Sequence, residues 1–422
     1  MERVVGSAAW MTGASVVSSV GGLIFWAVVA RVLGPQGLGE VAAAVSLANV
    51  ASAILNLGFQ QYVLRFLPTE GPPAFWAGLL ASSGAGAAAA GALAALGHPW
   101  SGLLAFLSLA SSAAFGGLIA VGRARLYFAS IATGAALKIA LAALKLSPLP
   151  VLALSSALSF AAALAGVAPA LGWSRPSGWG DLLAAATANY PLNFSASFGV
   201  SLGVLLVRSV AGPEPAGVFY LLSMAVMAVG SVSTALSASS IPVMAVGGTG
   251  LAERGARIAV GVNLPLVVAA AGASRLLLSL LGPGYQPYSL PLAFALPAAV
   301  GFAATSLASA VYNVEKRWLR LGGLGLLSTA SFTASSLAVP HLGVGLALLL
   351  GSIPPAVVGA RDVSPMPFAV GLAAAAVFSP LAALWPPASP LAVAASLAIL
   401  HATGVFRLRE YLEVARLVAR AL

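Results

Sequence analysis

The chain alternates long apolar runs with short polar breaks, and the runs have the length of membrane spans. A helix needs about 20 mainly apolar residues to cross the hydrocarbon core. Fourteen segments meet that pattern: Ala8–Ala30, Val41–Phe66, Ala74–Leu96, Ser101–Val121, Tyr127–Leu146, Leu149–Leu171, Leu182–Val210, Ala216–Ile241, Arg257–Leu281, Pro287–Tyr312, Leu319–Val339, Leu342–Gly359, Met366–Trp385 and Ser389–Phe406. Gly/Pro-rich turns separate them, such as GPQG at Gly34–Gly37, GPGY at Gly282–Tyr285 and WPP at Trp385–Pro387. The pattern predicts an all-α, polytopic membrane protein. The tail from Phe406 differs, with Leu408, Leu412, Ala415, Val418 and Leu422 on one stripe and charges elsewhere. It reads as an amphipathic helix on the cytoplasmic leaflet or as a solvated helical end.

Composition agrees with a lipid solvent. Hydrophobic residues make up 60% and charged residues 7%, against roughly 25% charged in a soluble domain. There is no cysteine, which excludes disulfides and thiolate chemistry. The net charge of +10 does not point to nucleic acid, because the basic residues lie in short loops. With the N-terminus in the cytoplasm, 15 of the 20 basic residues fall on the cytoplasmic side. That alternation follows the positive-inside rule and puts both termini in the cytoplasm of a cell (plasma or inner) membrane.

An internal repeat organises the spans. WAVVARVLGPQGLGEV, from Trp26, and GVLLVRSVAGPEPAGVFY, from Gly203, share an apolar run, one arginine, a Gly-Pro pair and a following glycine. Arg31 matches Arg208 at an offset of 177 residues, and Pro68 matches Pro242 at 174. Six spans per repeat give both halves the same orientation, a construction common in transporters. The expected organisation is a six-helix lobe over 1–175, a second over 176–361, two additional helices over 362–406 and the tail over 407–422.

The residues from Ala30 to Pro68, ARVLGPQGLGEVAAAVSLANVASAILNLGFQQYVLRFLP, resemble the opening of polysaccharide-export flippases. These belong to the multidrug/oligosaccharidyl-lipid/polysaccharide exporter superfamily, whose first span is followed by an A-R-x-L-G-P-x-x-x-G turn. GVFYLLSMAVMAVGSVSTALSASSIPVMA, from Gly217, is similar to the family's eighth span, and LLGPGYQPYSLPLAFALPAAV, from Leu280, to the turn after its ninth. The resemblance implies two six-helix lobes around a cavity, alternating access, and a lipid-linked oligosaccharide of the polyprenyl-pyrophosphate type as substrate. Glycan assembly or polymerising enzymes are the partners it implies.

A charge inside a span costs about 2.5–3.5 kcal/mol and usually faces a cavity or a partner. Arg31 and Arg208 are related by the repeat. Two readings fit them: a planar fork on substrate phosphate, or an anchor snorkelling to the outer headgroups. If both bind phosphate, replacing them together stops transport. Lys138 and Lys145, seven apart, share one face of the fifth span. Lys138 is too central to snorkel easily and is expected to face a cavity, whereas Lys145 sits near the end. Arg275 precedes the outer turn after the ninth span. Asn49, Asn56 and Gln60 share a face of the second span, and Asn189 and Asn193 stand one turn apart on the seventh. Such amides suit sugar hydroxyls or hydrogen bonds between helices, worth about 0.6 kcal/mol on average. Gly, Ala and Ser read as close-packing residues without chemistry.

All ten acidic residues map to loops or span ends, so no mid-span carboxylate is available to hold a coupling cation. His98, His341 and His401 are scattered and make no metal site, and no cofactor is implied. The leading expectation is a non-enzymatic flippase for an anionic lipid-linked oligosaccharide. The alternatives are a multidrug or cation exporter of the same superfamily and a membrane-embedded glycan polymerase or glycosyltransferase. The cationic span residues disfavour the first. The lack of a long outer loop or catalytic carboxylates disfavours the second.

Overall fold

The computed structural model describes residues 2–247, 251–315 and 317–406. Within these, the side chains of 2–9, 12, 184–189, 191–193, 195–198, 232, 234–247, 251 and 313 lie outside the description, as does the tail expected from 407 onward. In chain order the helices are α1 (Glu2–Leu55), α2 (Phe59–Glu70), α3 (Pro72–Ala95), α4 (Pro99–Ala120), α5 (Ala124–Ala143), α6 (Pro148–Leu171), α7 (Trp179–Ala211), α8 (Pro213–Gly247) and α9 (Leu251–Gly272). They continue as α10 (Ser274–Ser279), α11 (Ser289–Ala295), α12 (Ala298–Val314), α13 (Trp318–Leu337), α14 (Val339–Leu342), α15 (Val344–Val363), α16 (Pro365–Leu384) and α17 (Ser389–Ala402). No strand occurs among the described residues.

Helix α1 has 54 residues. At 1.5 Å per residue it is about 80 Å long, more than twice the roughly 30 Å hydrocarbon core. It therefore serves as two passages, divided at Gly34, whose φ of 68° no helix accommodates. Among the described residues nine helical stretches are long and apolar enough to span, and a tenth forms if Pro283–Ala295 and Ala298–Tyr312 are joined across a 43° bend. Each of the fourteen expected segments is helical over most of its length. The protein is a multi-pass membrane protein.

Besides the bent tenth segment, other expected segments depart from the pattern. The second breaks after Leu55 and resumes at Phe59, because Asn56 Oδ1 accepts a hydrogen bond from the Gly58 N–H (3.1 Å) and Gly58 has φ 76°. Asn49 and Gln60 thus lie on different helices, and the shared face with Asn56 does not exist. The fifth segment ends at Ala143, leaving Lys145 in the following turn with φ 58°. Lys138 and Lys145 therefore do not share a helical face. The ninth stops at Gly272 and restarts at Ser274.

The chain forms two compact units. One holds the chain up to Val29 and then Glu40–Leu205; the other holds Ala30–Gly39 and the chain from Leu206 onward. In the first, Phe59, Tyr62 and Val63 of α2 pack with Phe75 of α3, Leu109 and Leu118 of α4 and Val167 of α6. Small residues let these helices approach, and hydrogen bonds to backbone fasten them. Ser101 Oγ donates to Ala44 O (2.8 Å), Trp76 Nε1 to Gly172 O (2.8 Å) and Arg123 to Gly166 O (2.6 Å).

In the second unit the two repeat-related Gly-Pro turns meet. A Cβ on Gly217 would lie 2.5 Å from Pro35 O and 2.7 Å from Gly39 N, and one on Gly39 would overlap Pro213 O. The glycines of the repeat are therefore points where backbone touches backbone. The third Gly-Pro turn joins them, since Tyr285 donates to Ala30 O (3.2 Å) and Tyr288 to Glu214 Oε1 (2.9 Å). Elsewhere Asp362 ties α12, α13 and α15 together, accepting from Tyr312 (2.6 Å) and Arg320 (2.7 Å).

Candidate functional site

The first unit contains a cavity of about 300 Å³. Its walls come from α1 (Ser18, Val45, Ala48, Asn49), α4 (Leu104, Leu107, Ser108, Ser111, Phe115), α5 (Ile131, Gly134, Ala135, Lys138) and α6 (Leu152, Ser155, Ser156, Ser159). Helical spacing explains the convergence. Ser108 and Ser111 are three apart, Gly134 and Lys138 four apart, and Ser155 and Ser159 four apart, so each set lies on one face of its helix.

Lys138 is the one ionisable side chain among the described lining residues. Its Nζ reaches α1, where a Cβ on Gly22 would stand 4.0 Å away. The bare backbone at Gly22 leaves room beside the ammonium. A Cβ on Gly134, one turn before the lysine, would overlap the Ser159 hydroxyl. The glycine admits that serine between α5 and α6. A cationic group thus enters the interior of the unit with hydroxyls in place of carboxylate partners, and an ammonium offers three donors with no acceptor.

Two of these serines, Ser111 and Ser155, are acceptors toward the cavity. Ser111 donates its own proton to Ser108 O (3.1 Å) and Ser155 to Leu152 O (3.0 Å). This back-bonding to the preceding turn leaves the oxygen lone pairs free to face a ligand. One wall is the Phe115 ring, held edge-to-face by Tyr127 with centroids 5.5 Å apart.

Of the residues expected from the sequence, Lys138 and Asn49 line this cavity. Asn56 is spent on the helix break, and Gln60 packs its backbone and Cγ beside Gly116 of α4. Arg31 and Arg208 are exposed near the ends of their helical passages, each followed by its Gly-Pro turn. Arg275 is exposed in α10, and Lys145 is exposed in the turn after α5. The side chains of Asn189 and Asn193 lie outside the described residues.

Six serines, expected only as close-packing residues, also line the cavity. Their signal is the clustering of Ser155, Ser156 and Ser159 opposite a charged helix, but the same clusters also pack helices. Asn263 was not singled out by sequence. It is fully buried in α9 of the second unit, its Nδ2 donating to Ser233 Oγ (2.5 Å) and its Oδ1 unpartnered. Among the described residues no three His, Asp or Glu side chains gather in a way that would hold a metal.

Solved structures resemble most of the chain. The lipid II flippase MurJ, in an inward closed conformation, superposes with a TM-score of 0.60 at 12% identity, covering 92% of this chain and 96% of that one. The fold is that of MOP superfamily transporters. The multidrug transporter DinF-BH of the MATE type, in complex with R6G, gives a TM-score of 0.57 at 16% identity, with 86% and 94% covered. A MOP superfamily transporter from Pyrococcus furiosus, described as having a binding pocket of reverse polarity, gives 0.51 at 14%, with 87% and 96% covered. No protein-family model and no curated sequence matches the chain.

Proposed function

We propose that the protein is a flippase that carries an anionic, lipid-linked oligosaccharide from the cytoplasmic to the outer leaflet by alternating access. The observation that carries this reading is Lys138. A lone ammonium set among serines and one amide inside an apolar unit attracts an anion and repels a cation. A multidrug exporter of organic cations would need the opposite charge there. The fold likeness to MurJ, a lipid II flippase, supports a lipid-linked substrate, and the Ala30–Pro68 resemblance to polysaccharide-export flippases points to a glycan. With no carboxylate within a span, the membrane potential is the driving force at hand. One charge moved across 100 mV is worth about 2.3 kcal/mol.

The test is reconstitution into vesicles with a short-chain polyprenyl-diphosphate oligosaccharide, scoring the headgroup that reaches the far leaflet. The expected result is flipping that speeds up as the potential drives anions outward and that Lys138→Met abolishes. Export of an organic cation without glycan flipping contradicts the reading. Flipping that needs a proton or sodium gradient at zero potential contradicts the driving force.

A further inference from the structure

The cavity's hydrogen-bonding inventory is more specific than its charge. A bare phosphate brings mainly acceptors, with a P–OH donor or two at neutral pH. It would suit Lys138 and the Asn49 amide but meet lone pairs at Ser111 and Ser155, whose protons are already committed to backbone carbonyls. A ligand that satisfies both kinds of wall must carry several donors and one anionic group. A sugar ring has that chemistry: its hydroxyls donate, and a phosphate or carboxylate attached to it takes the ammonium. Its flat apolar face matches the Phe115 ring, which Tyr127 fixes in place. The volume of about 300 Å³ lies at the lower end of small-molecule sites. It is the size of one such residue, so the rest of an oligosaccharide would extend out of it.

We propose that this cavity is a subsite for a single pyranose bearing one anionic group, with Lys138 on the anion, Ser111 and Ser155 on ring hydroxyls and Phe115 beneath the ring. This rests on the flippase reading, in which the anion has two sources: the phosphate joining the first sugar to the lipid, or the carboxylate of an acidic sugar in the chain.

The test uses the full-length protein in nanodiscs and measures binding of hexose 1-phosphates (gluco, galacto and N-acetylglucosamine forms), glucuronate, unsubstituted glucose and inorganic phosphate. At least one hexose 1-phosphate or glucuronate is expected to bind more tightly than both glucose and phosphate. A hexose 1-phosphate preference assigns the anion to the lipid linkage, and a glucuronate preference assigns it to an acidic sugar. Lys138→Met is expected to weaken the anionic sugars at least about tenfold, the loss of one charge-assisted contact, and Lys138→Arg to restore part of it. Ser111→Ala with Ser155→Ala is expected to weaken the sugars and leave phosphate unchanged. Unaltered melting curves confirm that each variant is folded. Inorganic phosphate binding as well as every sugar probe, or probe binding indifferent to these substitutions, overturns the subsite. Binding with no vesicle flipping removes the transport reading and leaves the subsite standing. Flipping with variant-insensitive binding does the reverse.

Discussion

Helices α5 and α13 are both 20 residues long, and Lys138 and Phe332 each stand 14 residues after the first residue of their helix. Each helix is the fifth span of its half in the organisation expected from the sequence, and the two positions match by their place along the helix. Their surroundings are opposite. In the first unit the position carries an ammonium into a serine-lined cavity. In the second it carries a ring that is 2% exposed and stacked on Phe302, with centroids 5.5 Å apart and planes at 11°. On α6 the cavity is walled by Ser155, Ser156 and Ser159. On α15 a Cβ at Gly351 would come within 2.8 Å of the Phe332 ring, so the glycine lets the plug in. The same place along a helix thus opens on a cavity in one unit and fills a packed core in the other. Packing of this kind is stable without polar partners, whereas the charged version is tolerated only where function uses it.

The sharpest way to break this contrast is to copy the plug. Lys138→Phe is expected to fill the first unit's cavity and reduce glycan flipping to background while leaving the melting temperature close to that of the parent. Flipping that survives would remove the cavity from the transport path. The converse change, Phe332→Ala, empties a packed core. It is expected to cost about 3–5 kcal/mol of stability, the range for buried Phe→Ala substitutions, with flipping per folded molecule largely retained. A denaturant titration of the second unit's unfolding reads this, and an unchanged midpoint would show that Phe332 seals nothing. Smallest is the effect of Arg31→Ala with Arg208→Ala. Both arginines are exposed and neither lines the cavity, so the double variant is expected to slow flipping by less than about tenfold, the scale of one charge-assisted contact. Complete loss at normal protein abundance would place phosphate recognition at the Gly-Pro turns instead.

Much of this was legible in the chain. Apolar length gave each span its approximate place, because a span must satisfy its own backbone. Lys138 stood out since a charge in an apolar run has few places to go. The repeat marked Gly39 and Gly217, but their backbone contact needs two distant segments brought together, which no local pattern records. The break at Asn56–Gly58 was hidden inside a continuous apolar stretch, although an Asn side chain readily bonds the backbone two residues on and turns the chain. The serines could not be placed from sequence because the same residue type packs helices and lines cavities. Phe332 was invisible as a plug, because an aromatic residue in an apolar span says nothing about what it fills.

The most direct test is an experimental structure of the protein with a lipid-linked oligosaccharide bound. The anionic group nearest the first sugar is expected within hydrogen-bonding distance of Lys138 Nζ, with a sugar ring between Ser111, Ser155 and Phe115. A substrate whose phosphates sit on Arg31 and Arg208, with the Lys138 cavity empty, would contradict this expectation.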